Sequence, residues 1–143
     1  MGAHTRRYRD IAQSVGTGQL ALAPAMDRQQ LGRDAEQRAS EFLQSAGLQI
    51  VTRNYRCRMG ELDIVAQTGA TLVIAEVRCR SRADYGGAAA SVTPRKQQRI
   101  VRASRHLLAC QPALARLPVR FDVVVVPPDG GAVEWLRAAF DAT

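Results

Sequence analysis

MGELDIVAQTGATLVIAEVRCR, residues 59–80, contains three acids inside an otherwise apolar segment, and it predicts the β-hairpin at the centre of the fold. We expect two short strands, residues 61–65 and 72–78, joined by a tight turn at Thr68-Gly69. Residue 67 then pairs with residue 70, and residue 61 with residue 76. Because side chains alternate along a strand, this register places four charged side chains on one face of the hairpin: Glu61, Asp63, Glu76 and Arg78.

Three carboxylates on one face repel one another unless a positive group lies among them. A divalent cation meets that need, because Mg²⁺ is held by one or two carboxylates, keeps several waters and accepts a phosphate oxygen. Asp63 and Glu76 are therefore the predicted metal-binding pair, with Arg78 as a neighbouring cation. A bound ion of this kind polarises a phosphodiester and lowers the pKa of its water. The pattern predicts metal-dependent phosphodiester hydrolysis.

Length and charge limit the other possibilities. With 143 residues the chain is expected to form one domain, and its net charge of +7 and pI near 10.3 favour a polyanionic partner, nucleic acid before an anionic membrane surface. No apolar run approaches the roughly 18 residues that a membrane span needs. Three widely spaced cysteines without a CxxC pair indicate reduced thiols in a cytoplasmic protein, rather than a zinc site or a disulfide.

Upstream of the hairpin we predict a flexible basic arm over residues 1–26 and a single α/β domain over residues 27–143. The first helix is predicted from about residue 28 to residue 46, capped by Asp27 and ended by Gly47. Glu36 falls at the edge of its apolar stripe, where a solvated glutamate is the ordinary interpretation. A strand follows over residues 48–55. Residues 81–91, rich in Gly, Ala and Ser, form either a loop beside the acidic face or a linker.

The second helix is predicted to begin at Thr93-Pro94, a capping residue followed by proline, and to reach Cys110. Its outer arc is basic, and no acid lies between Asp84 and Asp122. A charged outer face is the default for a surface helix, but a single sign of charge also suits contacts with phosphates. Lys96 lies apart, at the border of the inward face. The predicted nucleic-acid-binding residues are Arg95, Lys96, Arg99, Arg102 and Arg105.

Residues 120–126 predict a buried strand, in which Asp122 is a second acid near the site or, as we prefer, a salt-bridge partner at the strand end. The two histidines, His4 and His106, fall in the predicted tail and on the predicted outer helix face, so a nucleophile–histidine mechanism has no support. The chain ends with a segment over residues 133–140 in which Trp135 is expected to pack.

In this order, these residues resemble the YraN-like family of uncharacterised bacterial proteins, a branch of the restriction-endonuclease-like PD-(D/E)XK nucleases similar to Holliday-junction resolvases. The resemblance covers roughly residues 31–140. It is carried by Gly32, Ala35-Glu36, Ala39, Arg53-Asn54-Tyr55, Gly60-Glu61-Leu62-Asp63-Ile64-Val65, Glu76-Val77-Arg78-Cys79-Arg80, Lys96, Arg120-Phe121-Asp122 and Ala139-Phe140.

The resemblance implies a restriction-endonuclease-like α/β core, a mixed central sheet flanked by helices. It also implies Mg²⁺ or Mn²⁺ as cofactor and structured or branched DNA as substrate, and junction-resolving relatives suggest a homodimer. Asp63 and Glu76 would bind the metal, with the Val77 carbonyl as a further ligand. Glu36 would be the acid that the first helix brings to this site, and Glu61 a helper or a structural acid.

One position departs from the pattern of the superfamily, because Arg78 occupies the place of the motif lysine. Arginine keeps the charge and can bind a phosphate with two hydrogen bonds, but it does not release a proton at neutral pH. Lys96 is a candidate replacement from the second helix. Two alternatives to an active nuclease therefore stay open: a catalytically impaired nucleic-acid-binding protein on the same fold, and a protein-interaction domain.

Overall fold

The computed structural model describes residues 28–80 and 91–142. Within these ranges lie two helices, α1 (Arg28–Ser45) and α2 (Pro94–Cys110), and five strands: β1 (Gln49–Cys57), β2 (Gly60–Thr68), β3 (Thr71–Cys79), β4 (Val119–Val126) and β5 (Glu134–Phe140). The predicted arm over residues 1–26, the predicted cap Asp27 and residues 81–90 lie outside the described residues. No helix in the described ranges is long and apolar enough to cross a membrane.

The strands form one mixed sheet in the order β1-β2-β3-β4-β5. β3 and β4 are parallel, with α2 in the connection between them, and the other three pairings are antiparallel. A parallel pair needs a crossover of this length, usually a helix. The predicted fold class, an α/β restriction-endonuclease-like core with a mixed sheet flanked by helices, is confirmed.

Each helix packs against a different apolar cluster of sheet residues. α1 contributes Ala35, Ala39 and Leu43 to a cluster that includes Val73 and Val124. α2 contributes residues such as Ile100, Ala103 and Leu107 to a second cluster, which includes Leu72, Phe121 and Val123. Successive strand residues belong to alternate clusters, as expected for a sheet that is buried on both faces. The central strands therefore consist of nearly continuous apolar runs.

Both helix ends that the sequence marked are observed. α1 ends before Gly47, which has a φ of 97° and whose N–H donates to the carbonyl of Gln44. A left-handed glycine after the last turn is a common helix stop. α2 begins after Thr93, whose hydroxyl accepts a hydrogen bond from the Lys96 N–H at 3.2 Å, and Pro94 occupies its first turn. This cap fixes where Lys96 enters the helix.

The predicted register of the β2–β3 hairpin is wrong by two residues. Thr68 pairs with Thr71 and Val65 with Ile74, so the turn residues are Gly69 and Ala70. Gly69 has a φ of 55°. A glycine at the first of two turn positions is the pattern of a type II′ turn, which matches the twist of the flanking strands. The sequence interpretation placed the glycine at the second position instead.

The expectation that four charged side chains share one face is also wrong. Leu62 lies in the cluster under α2, whereas Ile64, two residues later, lies in the cluster under α1. The alternation of β2 is therefore broken at Asp63. The ladder between β2 and β3 extends no further towards this end than the pair Ile64–Ala75. Asp63 consequently lies where the two strands separate.

Asp122 is a structural acid of the sheet. It is fully buried, and its carboxylate accepts two hydrogen bonds from the Arg120 guanidinium, both at 2.9 Å. It accepts two more from β5, from the Trp135 indole N–H and the Ala138 backbone N–H, also at 2.9 Å. Four donors satisfy a buried carboxylate well. The preferred interpretation of Asp122 as a salt-bridge partner is confirmed.

Candidate active site

The opening between β2 and β3 exposes the first part of the site. Here the Val77 N–H of β3 donates a hydrogen bond to Asp63 Oδ2 of β2 at 2.9 Å. A side chain thus replaces the backbone partner that the ladder would otherwise supply, because the regular pairing ends one residue earlier. Asp63 is held against β3, beside the position of Glu76.

Glu76 lies on the other side of this opening and faces α2. It is only 6% exposed, and the Lys96 Nζ lies 3.4 Å from its Oε2. Lys96 is one turn before Ile100 and two turns before Ala103, both of which are buried against the sheet. Its position at the border of the inward face is therefore confirmed, and the helix directs its ammonium to a buried carboxylate. A buried charge needs such a partner.

The two carboxyl groups perturb one another. Burial, followed by the negative charge of Glu76, raises the pKa of the Asp63 carboxyl from 3.8 to about 7, although the Val77 N–H and the Lys96 ammonium oppose the rise. This carboxyl therefore keeps its proton to a higher pH than an ordinary aspartate. A divalent cation between the two groups would replace that proton. The crowding that the sequence predicted between Asp63 and Glu76 is present in the fold.

α1 brings Glu36 towards the same region. Burial and the charge of Asp63 raise the pKa of its carboxyl, while a hydrogen bond with Asn54 and the charge of Arg53 lower it. Asn54 has a φ of 54°, a left-handed conformation that asparagine tolerates better than most residues. The sequence interpretation quoted Asn54 and Arg53 within the family motif and gave them no role. Their proximity to Glu36 follows from the pairing of β1 with β2 and was not readable from spacing.

These acids do not form a preassembled cage. Over residues 28–80 and 91–142, no three His, Cys, Asp or Glu side chains converge closely enough to hold one metal ion. Glu36 is thus near Asp63 without completing a three-carboxylate cluster with Glu76. The set that remains is a pair of carboxylates, a lysine and a third acid at the border.

Two predicted site residues have other positions. Glu61 forms a salt bridge with Arg56 at 2.8 Å across the β1–β2 pair, and its side chain is 41% exposed. That contact favours the structural interpretation of Glu61 over a direct role. Arg78 lies on the same face of β3 as Glu76 and is partly exposed, but it makes no ion pair with any described residue. The cation that contacts Glu76 is therefore Lys96.

The basic residues of α2 continue outward from this site. All five predicted nucleic-acid-binding residues are exposed: Arg95, Lys96, Arg99, Arg102 and Arg105. A cleft of about 330 Å³ beside the acids is lined by Arg56, Gly60, Lys96 and Arg99, among others. The predicted outer-face position of His106 needs correction, because the residue is partly buried and its Nδ1 lies 2.5 Å from the Tyr55 hydroxyl.

Comparison with known proteins places the chain in a family. The model of the uncharacterised protein family UPF0102 matches residues 35–126. A UPF0102 protein of Cupriavidus taiwanensis is 54% identical over 117 residues, covering 80% of this chain and 86% of that protein. A UPF0102 protein of Legionella pneumophila is 40% identical over 114 residues, covering 80% and 97%, and one of Nitrosomonas eutropha is 47% identical over 111 residues, covering 77% and 92%. The chain belongs to the UPF0102 family, which is the YraN-like family that its sequence resembles.

Proposed function

We propose that this protein is a Mg²⁺-dependent endonuclease that hydrolyses phosphodiester bonds in structured or branched DNA. The observation that carries the proposal is the contact of Lys96 with Glu76 beside Asp63. The motif of the superfamily that this chain resembles consists of two carboxylates and a lysine, which lie on two neighbouring strands. In this chain the strand has Arg78 in the lysine position, and α2 brings a lysine to the same carboxylate.

The donor set suits a divalent cation. Asp63 and Glu76 are hard oxygen donors, and burial followed by the charge of Glu76 raises the pKa of the Asp63 carboxyl. The N–H and C=O of one residue in an extended strand face the same neighbour. Because the Val77 N–H faces Asp63, we expect its carbonyl to face the same opening. Bound Mg²⁺ would supply a Lewis acid for the phosphate and a water of lowered pKa.

The remaining steps belong to the side chains of the chain itself. The Lys96 ammonium, oriented by Glu76, stabilises the negative charge that develops on the phosphate during attack. Glu36, whose carboxyl pKa is raised, accepts a proton from the attacking water more readily than an ordinary glutamate. The exposed arginines Arg95, Arg99, Arg102 and Arg105 bind the backbone on either side. We include dimerisation in the proposal, because a branched substrate presents two strands.

The test uses purified protein with labelled four-way-junction, flap, duplex and single-stranded DNA, in Mg²⁺, Mn²⁺ or EDTA. We expect cleavage with either metal and none in EDTA. Asp63→Asn and Glu76→Gln should each lower the cleavage rate at least about 100-fold with little loss of DNA binding. Glu134→Gln is the matched control. It alters an exposed acid of β5 that forms a salt bridge with Arg80, and this variant should cleave normally.

Cleavage that persists in Asp63→Asn would show that the activity comes from a contaminant or from another site. A second candidate function is a DNA-binding protein without cleavage, and it is favoured by Arg78 and by the lack of a three-acid cluster among the described residues. Salt-sensitive binding without cleavage would establish that candidate. If no nucleic acid binds at low salt, the remaining alternative is a protein-interaction domain.

A further inference from the structure

A second concave surface lies further along α2, away from the acids. It is a depression of about 450 Å³ lined by Met59, Arg102, Arg105 and His106. Met59 is in the turn between β1 and β2, where Cys57 pairs with Gly60. Its side chain is 46% exposed, which makes it the most exposed large apolar residue of the described part of the chain. A ligand with both an apolar surface and negative charge would complement this lining.

The lining residues have complementary chemistry. Arg102 and Arg105 are exposed and form no ion pair with a described residue, so both guanidiniums can bind phosphate oxygens. Met59 offers a polarizable thioether that packs well against flat rings. His106 is held in place through Nδ1 by the Tyr55 hydroxyl at 2.5 Å. When the phenol donates this hydrogen bond, Nε2 carries the ring proton and can donate to a ligand.

This depression is adjacent to the proposed DNA path, because Arg102 follows Arg99 by one helical turn. Gly60, next to Met59, lines the cleft that also contains Lys96 and Arg99. The helix rises about 1.5 Å per residue, so Arg105 lies about 14 Å along the axis from Lys96. At a rise of about 3.4 Å per nucleotide, this distance corresponds to about four stacked nucleotides. A strand cleaved beside Glu76 would therefore pass Met59 a few nucleotides away.

We propose that this depression holds an unstacked nucleotide of the bound DNA, with Met59 against the base and Arg102 and Arg105 on the adjacent phosphates. The inference rests on the proposed binding of DNA and adds the feature that is recognised. A continuous duplex keeps its bases stacked, and exposing one costs several kcal/mol. In DNA with a branch, flap or unpaired base, one or more bases are already unstacked, so little further free energy is needed to expose one. Methionine is also among the side chains that proteins insert between base steps.

The experiment measures binding in EDTA, so that it is independent of cleavage. Duplexes of equal length, one intact and one with a central flap carrying 2-aminopurine at the branch, are titrated with wild type, Met59→Gln and Met59→Leu. We expect wild type to prefer the flap about tenfold and to change the 2-aminopurine fluorescence on binding. Met59→Gln should lose most of this preference, while its affinity for intact duplex stays within about twofold, because phosphate contacts are retained. Met59→Leu, which keeps the apolar volume, should behave as wild type.

The outcomes separate the two proposals. If wild type binds both duplexes equally, or if Met59→Gln keeps the flap preference and the fluorescence change, the nucleotide site is overturned while DNA binding stands. If wild type binds neither DNA at low salt, both proposals fail together. Because Met59 is exposed in a turn, Met59→Gln is expected to fold, and its thermal unfolding confirms this directly.

Discussion

The lysine that contacts Glu76 comes from a helix, although the sequence pattern places a cation on the strand itself. Arg78 and Lys96 both carry a positive charge, but only Lys96 reaches the buried carboxylate among the described residues. An ammonium is a compact point charge whose pKa responds to its surroundings, whereas a guanidinium stays protonated. At the residue scale, the activity of the site therefore depends on whether Lys96 can do the work of the motif lysine that Arg78 replaces.

The first prediction compares these two cations. Lys96→Gln should lower the single-turnover cleavage rate about 100-fold to 1,000-fold, the range observed when one donor to a transition-state oxyanion is removed. Arg78→Gln should lower it by about tenfold or less, because Arg78 makes no contact with Glu76. Arg116→Gln removes an equal charge from an exposed position outside α2 and is the control. If Arg78→Gln lowers the cleavage rate more than Lys96→Gln does, the catalytic cation is Arg78 on the strand rather than Lys96.

The second prediction concerns pH and the stability of the metal-free protein. The Asp63 pKa is raised from 3.8 to about 7, so the folded protein retains a proton that the unfolded chain has lost. The free energy of unfolding should therefore fall as the pH rises from about 4 to about 7, by on the order of 4 kcal/mol, and then level off. Denaturant unfolding at several pH values measures it, with Asp63→Asn as the comparison. The stability difference between Asp63→Asn and wild type should grow over this window, and a constant difference would contradict the prediction.

At the scale of elements, the sequence predicted both helices and the first four strands in the correct order, because apolar periodicity and helix caps are local signals. It did not assign β5 as a strand. It missed the hairpin register because Thr68-Gly69 and Gly69-Ala70 are both plausible turns, and the choice depends on the backbone twist at Gly69. It also missed the break in alternation at Asp63. The sequence pattern does not indicate that Leu62 and Ile64 belong to different core clusters, because both are apolar residues at alternate positions of one strand.

The third prediction tests how closely α2 packs on the β1–β2 turn. A Cβ added at Gly60 would lie 3.3 Å from both Cβ and the carbonyl oxygen of Arg99, and Gly60 has a φ of 155°. Gly60→Ala should therefore destabilise the protein by about 1–3 kcal/mol and shift the helix that positions Lys96. Gly69→Ala is the control, because its φ of 55° is strained but no atom lies within 4 Å of the added Cβ. Gly60→Ala should lower both the free energy of unfolding and the cleavage rate. Gly69→Ala should lower only the free energy of unfolding.

At the scale of the whole molecule, the site is assembled from elements that are far apart in sequence. β2, β3 and α2 bring Asp63, Val77, Glu76 and Lys96 together, and α1 adds Glu36. The sequence predicted these residue types, and the family resemblance grouped most of them. The contact of Lys96 with Glu76 could not be predicted, because it depends on how α2 lies across the sheet. The net charge of +7 belongs to this scale as well, since it determines long-range attraction to a polyanion.

The last prediction uses that charge. If α2 presents its exposed arginines to DNA phosphates, the logarithm of the binding constant should fall linearly with the logarithm of salt concentration, with a slope of about −0.9 for each phosphate neutralised. Arg99→Gln and Arg102→Gln together should reduce the size of the slope by about 2, because each removes one phosphate contact. Arg116→Gln, an exposed arginine beyond the end of α2, changes the net charge without altering that face and should leave the slope nearly unchanged. Equal effects of the Arg99 and Arg116 substitutions would mean that net charge alone, rather than the face of α2, governs binding.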